Sequence, residues 1–311
     1  MIRTVWKDIC PKEIGHAQCH EHIWLEKGAS YNTSPALCMN DYKSSLKELK
    51  DYRQAGGSLI VDAQPTGCGR NLSRLAELSR ESGVHIVAAA GFHKKEFFDQ
   101  VTLLTWSKEK LAGLYAQEIE TGTGTSGRPA SLYRAGILKA AAGRNWQTDP
   151  VYQKLFEAVA EAAGLTRAPV MIHTEKGNDV LYMIRWFQER DITPEKLLIC
   201  HLDRTYHDID YHKEVLSTGC FLCYDSIHRL KYLSEQEEME LLCAMKQSGL
   251  TGQIVLSLDT TNQRLRSYYA EDMGLDYILT TFIPQLREHG FTDQEIRQMC
   301  ITNARTILDF A

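Results

Sequence analysis

Eight short apolar runs, each rich in β-forming residues, alternate with helical stretches along the 311 residues of the chain. Near-continuous apolar strands of this kind are parallel strands covered by helices. A count of eight, in a chain somewhat longer than the roughly 250 residues typical of the architecture, predicts an α/β fold closed into a (β/α)8 TIM barrel rather than a doubly wound sheet. Nothing in the sequence marks a linker, so residues 1–311 are read as a single domain. Composition agrees with a globular core, with 43% hydrophobic and 24% charged residues, and excludes disordered and fibrous classes.

The runs are Ile14 to His22, Ser58 to Pro65, Val84 to Phe92, Ala135 to Ala142, Pro169 to Glu175, Leu197 to Leu202, Cys220 to Ile227 and Ile254 to Asp259. Helix starts stand between them. Asp149-Pro150 and Thr193-Pro194 place a capping residue before a proline at the first helical position, and Ser234-x-x-Glu237 and Thr292-x-x-Glu295 are capping boxes. The one Gly/Thr/Ser-rich piece, Thr121 to Gly127, contains Gly122-Thr-Gly124-Thr-Ser-Gly127, which matches G-x-G-x-x-G. The dinucleotide fingerprint, however, follows a strand and opens a helix. Here a helical Gln117-Glu118-Ile119-Glu120 precedes and Arg128-Pro129 follows, so the segment reads as a connector. Neither a G-x-x-x-x-G-K-[ST] nor a G-x-S-x-G motif occurs, which removes the main support for phosphate-loop and serine-hydrolase chemistry.

A formal charge of -5, from 35 basic and 40 acidic residues, lacks the basic footprint of a nucleic-acid binder. The opening Met1-Ile-Arg-Thr-Val-Trp-Lys-Asp8 shows no apolar export segment, and no run of about eighteen apolar residues offers a membrane span. The expectation is a soluble cytoplasmic protein with no nucleic-acid or membrane partner. Nine scattered cysteines fit reduced thiols. Only Cys220-Phe-Leu-Cys223 has motif spacing, and in a strand positions i and i+3 face opposite ways, so these are read as two buried thiols.

Active sites of such barrels lie at the C-terminal ends of the strands. Strand one ends His20-Glu-His22, strand four contains Lys139, strand five ends His173-Thr-Glu-Lys, strand six ends His201-Leu-Asp203 and strand eight ends Leu258-Asp259. His20 and His22, at i and i+2, share a face and can chelate one cation. Imidazole and carboxylate suit zinc, with manganese, iron or cobalt compatible with the same donors. Four histidines, an aspartate and a lysine exceed the needs of one tetrahedral ion and match two ions roughly 3.5 to 4 Å apart. His16, His85, His207, His212 and His289 are read as ordinary surface or satisfied core histidines.

The motifs His20-Glu-His22, Ala135-Gly-Ile-Leu-Lys139, Val170-Met-Ile-His173-Thr, Cys200-His201-Leu-Asp203, Leu256-Ser-Leu-Asp259, the stretch Tyr277 to Arg287 and the closing Asn303-Ala-Arg305 together resemble the phosphotriesterase family of the amidohydrolase superfamily. Within it the chain is most similar to phosphotriesterase homology proteins and phospho-sugar lactonases, and the likeness spans nearly the whole chain. The resemblance implies that His20, His22 and Asp259 hold the more buried ion and His173 and His201 the more exposed one. It also implies that Lys139, N-carboxylated by carbon dioxide, bridges both together with hydroxide. On that pattern the hydroxide attacks, the exposed ion polarises the substrate oxygen, and Asp259 carries the proton to the leaving group as the catalytic residue.

The substrate is less directly legible. Arg229 and Lys231 follow strand seven, and Arg264, Arg266, Tyr268 and Tyr269 follow strand eight, the two loops from which barrels most often build a phosphate site. Arg70, Lys94 and Lys95 also lie after strands. Guanidinium groups favour a phosphate monoester or carboxylate over a neutral triester, so the expected substrate is a small anion bound by Arg229, Lys231, Arg264, Arg266 and Tyr268. The charges from Glu235 to Glu240 read as a solvated helix face. The leading expectation is a binuclear metal-dependent hydrolase opening a lactone or carboxylic ester, such as a phosphorylated sugar lactone. The alternative is a phosphotriesterase or phosphodiesterase on the same ions, and the remoter one a catalytically inactive metal-binding barrel. Whether the barrel pairs as a homodimer is left open.

Overall fold

The computed structural model describes residues 1–122, 133–143, 145–175, 179–269 and 272–310. The Gly122–Gly127 motif therefore falls almost wholly outside the described residues. All eight expected strands form: β1 His16–Glu21, β2 Gly57–Asp62, β3 His85–Gly91, β4 Ile137–Ala141, β5 Val170–His173, β6 Leu197–Cys200, β7 Phe221–Tyr224 and β8 Ile254–Leu256. They pair in sequence order, every ladder parallel, as one eight-stranded sheet. The seam between β1 and β8 is closed largely by side chains. Ser257 Oγ accepts the His20 N–H at 2.9 Å, the Asp259 N–H reaches the His20 carbonyl at 3.1 Å, and the buried Glu21 carboxylate accepts the N–H groups of Leu258 at 2.7 Å and Thr260 at 3.2 Å.

Two apolar layers follow from the period-2 alternation of the strands. Ala17, Leu59, Val61, Val87, Ile137, Met171, Leu198, Cys223 and Val255 fill the barrel interior, whose lower end is stopped by Ile2, Ile9 and Leu308. The intervening side chains pack outward against the helices. Cys220 belongs to the outer layer and Cys223 to the inner one, as their spacing requires, and all nine cysteines are free thiols. The antiparallel pair Ile2–Arg3 with Asp8–Ile9 had no signal in the alternation, being two residues on each side.

Helix starts follow the caps. Pro150–Thr166 begins after Asp149, whose carboxylate accepts the Val151 N–H, and Glu235–Gln247 begins in the Ser234/Glu237 capping box. Thr292 and Glu295 cap Asp293–Arg297 in the same way. Thr193-Pro194 instead opens a single 3-10 turn, Pro194–Lys196, because β6 starts at Leu197 and leaves no room for a helix. Among the described residues no helix is long and apolar enough to cross a membrane.

Candidate metal centre and its cavity

Alternation alone would misdirect His20. Ala17 and Cys19 face the barrel interior and Gln18 reaches outward to the Leu275 carbonyl at 2.7 Å, so an unbroken strand would send His20 outward too. A register shift of β1 against β2 between Gln18 and Glu21 re-aims the segment, the usual effect of a bulge. His20 Nε2 and His22 Nε2 then lie 3.8 and 3.6 Å from Asp259 Oδ1, and the three residues form one buried, metal-capable group.

Asp225, at the end of β7, organises the next part. It is fully buried and accepts from His20 Nδ1 at 2.8 Å and from His201 Nδ1 at 2.6 Å. With Nδ1 donating, His201 presents its Nε2 lone pair toward His173 Nδ1, 2.8 Å away, while Nε2 of His20, toward Asp259, is the nitrogen that would give up its proton to a cation. Fixing the tautomer of ligating histidines in this way is the standard function of a carboxylate behind a metal site. His22 Nδ1 and His173 Nε2 are buried without a hydrogen-bond partner among the described residues. Such orphaned imidazole edges are costly in a finished core, and they leave these rings free to turn their lone pairs on a cation.

Lys139 on β4 is fully buried, and its Nζ donates to the Ala63 carbonyl at 2.8 Å. No carboxylate lies within ion-pair distance of it among the described residues. Burial pushes its pKa down from the ordinary lysine value, toward the neutral amine that carbon dioxide can carboxylate. β3 comes close to Lys139 because its last residue is Gly91, at φ +99°, where a Cβ would overlap the Lys139 carbonyl oxygen. The Phe92 N–H bonds that carbonyl at 2.9 Å.

The chain is bent out of strand geometry at two of these positions. His201 has φ 68° and Asp259 φ 47°, left-handed conformations that are sparsely populated outside glycine and that concentrate at functional sites. The Asp259 carboxylate divides its work. Oδ1 faces His20 and His22, while Oδ2 is held by Arg204 Nη2 at 2.8 Å and by Arg229 Nη1. Burial alone would raise the Asp259 pKa, but Arg229, His22 and His20 hold it well below the carboxylate range. Burial lowers the His173 pKa to about 4, and for His20 the same burial is outweighed by Cys200 and Asp225, which carry it up to about 10. A cation entering beside His20 therefore displaces a proton.

A cavity of about 670 Å³ opens beside this cluster, and Arg229 belongs to both. Lys231, Tyr232, Phe97 and Gln263 line it as well. Of the cations expected at the mouth, Arg229 and Lys231 stand in the cavity. Arg264 borders it but spends its guanidinium on the carbonyls of Asp259 at 3.1 Å, Ile227 at 2.8 Å and Leu258. Arg266 lies elsewhere, paired with Asp276 at 2.9 Å, and Tyr268 bonds Ser45 Oγ at 2.7 Å and the Asp41 carbonyl at 3.1 Å. Arg70 is buried against Glu118, Lys94 pairs with Glu175 and Lys95 with Asp149.

Four residues of the site escaped sequence reasoning: Asp225, Arg204, His93 and His228. Asp225 and His93 stand at strand ends and Arg204 three residues beyond His201, positions that a strand-by-strand inventory of polar endings would have captured. The charges from Glu235 to Glu240 also need correction. Glu238 is 1% exposed and Glu235 bonds His228 Nδ1 at 2.7 Å, because one face of this helix packs on the barrel wall behind β7. His212 is a satisfied core histidine, bonded to Tyr224 at 2.7 Å and Thr205 at 3.3 Å, whereas His16 bonds Tyr52 through Nδ1 at 2.9 Å and leaves its Nε2 buried without a partner among the described residues.

With the geometry established, comparison with known proteins is informative. The family model described as the phosphotriesterase family matches residues 1–308. A protein named phospho-furanose lactonase from Mycoplasmopsis synoviae strain 53 is 28% identical, over 99% of this chain and 91% of its own length. The phosphotriesterase homology protein of Escherichia coli K12 is 27% identical, over 93% of this chain and 96% of its own. The crystal structure of a lactonase from Listeria monocytogenes superposes with a TM-score of 0.90 at 30% identity, covering 100% of this chain and 99% of the other.

Proposed function

Because the chain belongs to the phosphotriesterase family, we propose that it is a binuclear metal-dependent hydrolase that opens a lactone or carboxylic ester, with a phosphorylated sugar lactone as substrate. The observation that carries this reading is the donor set. His20, His22 and Asp259 form one buried group, His173 and His201 meet at 2.8 Å, Lys139 is a buried lysine whose burial favours the neutral amine, and one aspartate holds Nδ1 of His20 and of His201 so that Nε2 of each is left for a cation. His20, His22 and Asp259 would hold one ion and His173 and His201 the other, with carboxylated Lys139 between them. Zinc suits the donors best, and manganese, cobalt and iron are compatible. Bound there, such ions supply Lewis acidity toward the substrate oxygen and a nucleophilic hydroxide at neutral pH.

The remaining work falls to side chains. Asp259, with Oδ1 toward the ligand cluster and Oδ2 clamped by two arginines, takes the proton of the attacking water and passes it to the departing alkoxide. Arg229 and Lys231, in the cavity wall, recognise a distal anion and hold the substrate in register. Such a lining suits a phosphate monoester or carboxylate and gives a neutral triester no counter-charge. The similarity to lactonase relatives supports the same class.

The test is a screen of zinc-loaded and manganese-loaded protein against phosphorylated lactones, plain lactones and an aryl phosphotriester, with metal counted on the same samples. Close to two ions per chain and preference for the phosphorylated lactone are expected. One ion or none after loading with metal and bicarbonate refutes the binuclear reading, and preference for the triester moves the assignment to phosphotriesterase chemistry.

A further inference from the structure

We propose that His228 determines specificity at the cavity: its Nε2 accepts a hydrogen bond from a hydroxyl group of a polyhydroxylated, sugar-type substrate. The inference rests on the functional reading above and adds a contact to it, away from the reacting bond. His228 stands four residues past the end of β7 and lines the cavity together with Arg229 and Lys231. It has φ 55°, a left-handed conformation that a non-glycine residue keeps only where its surroundings hold it. Two side chains do so. Glu235, the first residue of the helix Glu235–Gln247, bonds His228 Nδ1 at 2.7 Å, and the Tyr277 ring stacks on the imidazole, 4.6 Å between centroids at 38°. The Tyr277 hydroxyl donates to the same Glu235 oxygen.

This arrangement decides what each ring nitrogen can do. Burial alone would raise the Glu235 pKa, but the hydrogen bonds from Tyr277 and His228 bring it below its ordinary value, so the carboxylate is ionised at neutral pH and only accepts. Nδ1 therefore carries the proton of the neutral ring, and the lone pair lies on Nε2. That nitrogen makes no hydrogen bond among the described residues and is not buried, and 38% of the side chain is exposed. With Nδ1 spent on Glu235 and one ring face on Tyr277, His228 offers the cavity the edge that carries this acceptor. The lining thus divides a substrate by chemistry. Arg229 and Lys231 are donors that suit a distal anion, whereas a lone pair repels an anion and takes an O–H. Thr33, Ser34 and Gln263 line the same cavity and bond hydroxyl groups equally well. A site built to bond a hydroxyl rejects the analogue lacking it, because its own polar group is then left unpaired. His228 thereby selects a hydroxylated lactone over a deoxy one.

The test compares kcat/KM for a phosphorylated sugar lactone with that for its monodeoxy analogues on metal-loaded protein. The wild type should prefer the fully hydroxylated compound over at least one analogue. His228→Phe keeps a flat ring against Tyr277 and removes the acceptor; it should shrink that preference about five- to thirty-fold while ion content stays at the wild-type level. His228→Gln, whose side-chain oxygen reaches the region of Nε2, should recover part of the loss. Nitrogen-15 spectra of histidine-labelled protein at pH 8 should show His228 with Nδ1 protonated and Nε2 unprotonated, and the Nε2 signal should move when the hydroxy acid product is added. An unchanged preference in His228→Phe overturns the assignment, since a strap that merely ties the loop to the helix would lower Tm alone. So does a proton on Nε2, or a variant that loses its preference for the phosphate in place of that for the hydroxyl. Failure of the parent reading looks different: the loaded wild-type protein opens no lactone, while the Nε2 response to the hydroxy acid still reports on His228.

Discussion

Asp225→Asn separates a carboxylate that organises a metal site from one that merely fills space. Asp225 is fully buried and accepts one hydrogen bond from each of two rings, at 2.8 Å from His20 and 2.6 Å from His201. Asparagine has nearly the same shape but offers one acceptor and one donor group. The amide oxygen will take the His201 side, because Arg204 Nη2 lies 3.8 Å from Oδ1 there and a guanidinium disfavours an amide N–H. The NH2 group then faces His20 Nδ1, which must turn from donor to acceptor. The His20 proton moves to Nε2, and the lone pair that would bind the ion beside His22 and Asp259 is lost. A hydrogen bond to a charged group contributes roughly 1.5–3 kcal/mol, and the typical effect of losing such a supporting carboxylate is about 10- to 100-fold in metal affinity. The two scales agree, since each factor of ten is about 1.4 kcal/mol. Competition titration with a chromophoric chelator should therefore show one ion bound about 10- to 100-fold more weakly and the other little changed, with circular dichroism confirming the fold. Unchanged affinity for both ions, or selective loss of the ion at His173 and His201, would refute the tautomer argument.

Lys139→Ala should lose ions and activity together, and a short carboxylic acid such as acetate should restore part of both by occupying the vacated space; full activity in the alanine variant would make Lys139 merely structural. Lys231→Ala should lower kcat/KM for a phosphorylated lactone by about ten- to a hundred-fold while leaving the unphosphorylated analogue nearly unchanged. Arg266→Ala should do neither, since its guanidinium is committed to Asp276; equal losses on both substrates in the Lys231 variant would indicate damage at the ligand cluster instead. Glu238 makes stability depend on pH. Both of its carboxylate oxygens are buried without partners, and burial, then Asp203 and Asp225, push its pKa well above the ordinary 4.5. Below that ordinary value folded and unfolded chains are both protonated and there is no penalty; above it only the unfolded chain ionises, so stability falls as pH rises, by up to about 1.4 kcal/mol per pH unit for one group. Glu238→Gln should flatten the decline of Tm between pH 5 and 8, and an identical slope would show that Glu238 ionises freely in the fold.

The eight strands were legible because a barrel imposes one repeated demand, an apolar run buried on both faces, and that demand appears in the sequence as Val, Ile, Leu and Ala at the centre of β2 and at most positions of β3 and β6. The cluster of polar side chains at the strand ends was legible for a related reason. A polar residue at the end of such a run is conspicuous, and His20, His22, His173, His201 and Asp259 each break one. Asp225 was not conspicuous, because its run continues through Ile227 and hides the carboxylate within it. Glu238 was misleading since a helix rich in glutamate looks solvated, and only the packing of one face against the barrel wall shows otherwise. The loop cations were least legible of all. Arg229, Arg264 and Arg266 have the same chemistry and similar placement along the chain, and what distinguishes them is the partner each finds in space: a cavity and Asp259, a set of backbone carbonyls, or Asp276.

The same contrast explains where the fold departs from regular geometry. Gathering polar side chains from different strands at one point conflicts with strand geometry, which sends successive side chains to opposite faces. The chain meets both demands by breaking alternation at the cluster: a register shift in β1 between Gln18 and Glu21, and left-handed residues at His201 and Asp259 just beyond β6 and β8. Each left-handed non-glycine residue costs on the order of 1–3 kcal/mol and persists only where its surroundings over-determine it. Here they do. Asp259 is pinned through its backbone N–H by the His20 carbonyl, through its carbonyl by Arg229 and Arg264, and through its carboxylate by Arg204 and Arg229. His201 is pinned through its ring by Asp225. These half-buried arginines are thus part of the scaffold that keeps a strained carboxylate in place. A substitution at Arg264 should reach the site through the Asp259 backbone, lowering kcat on every substrate alike, whereas Lys231 acts on the anionic class alone.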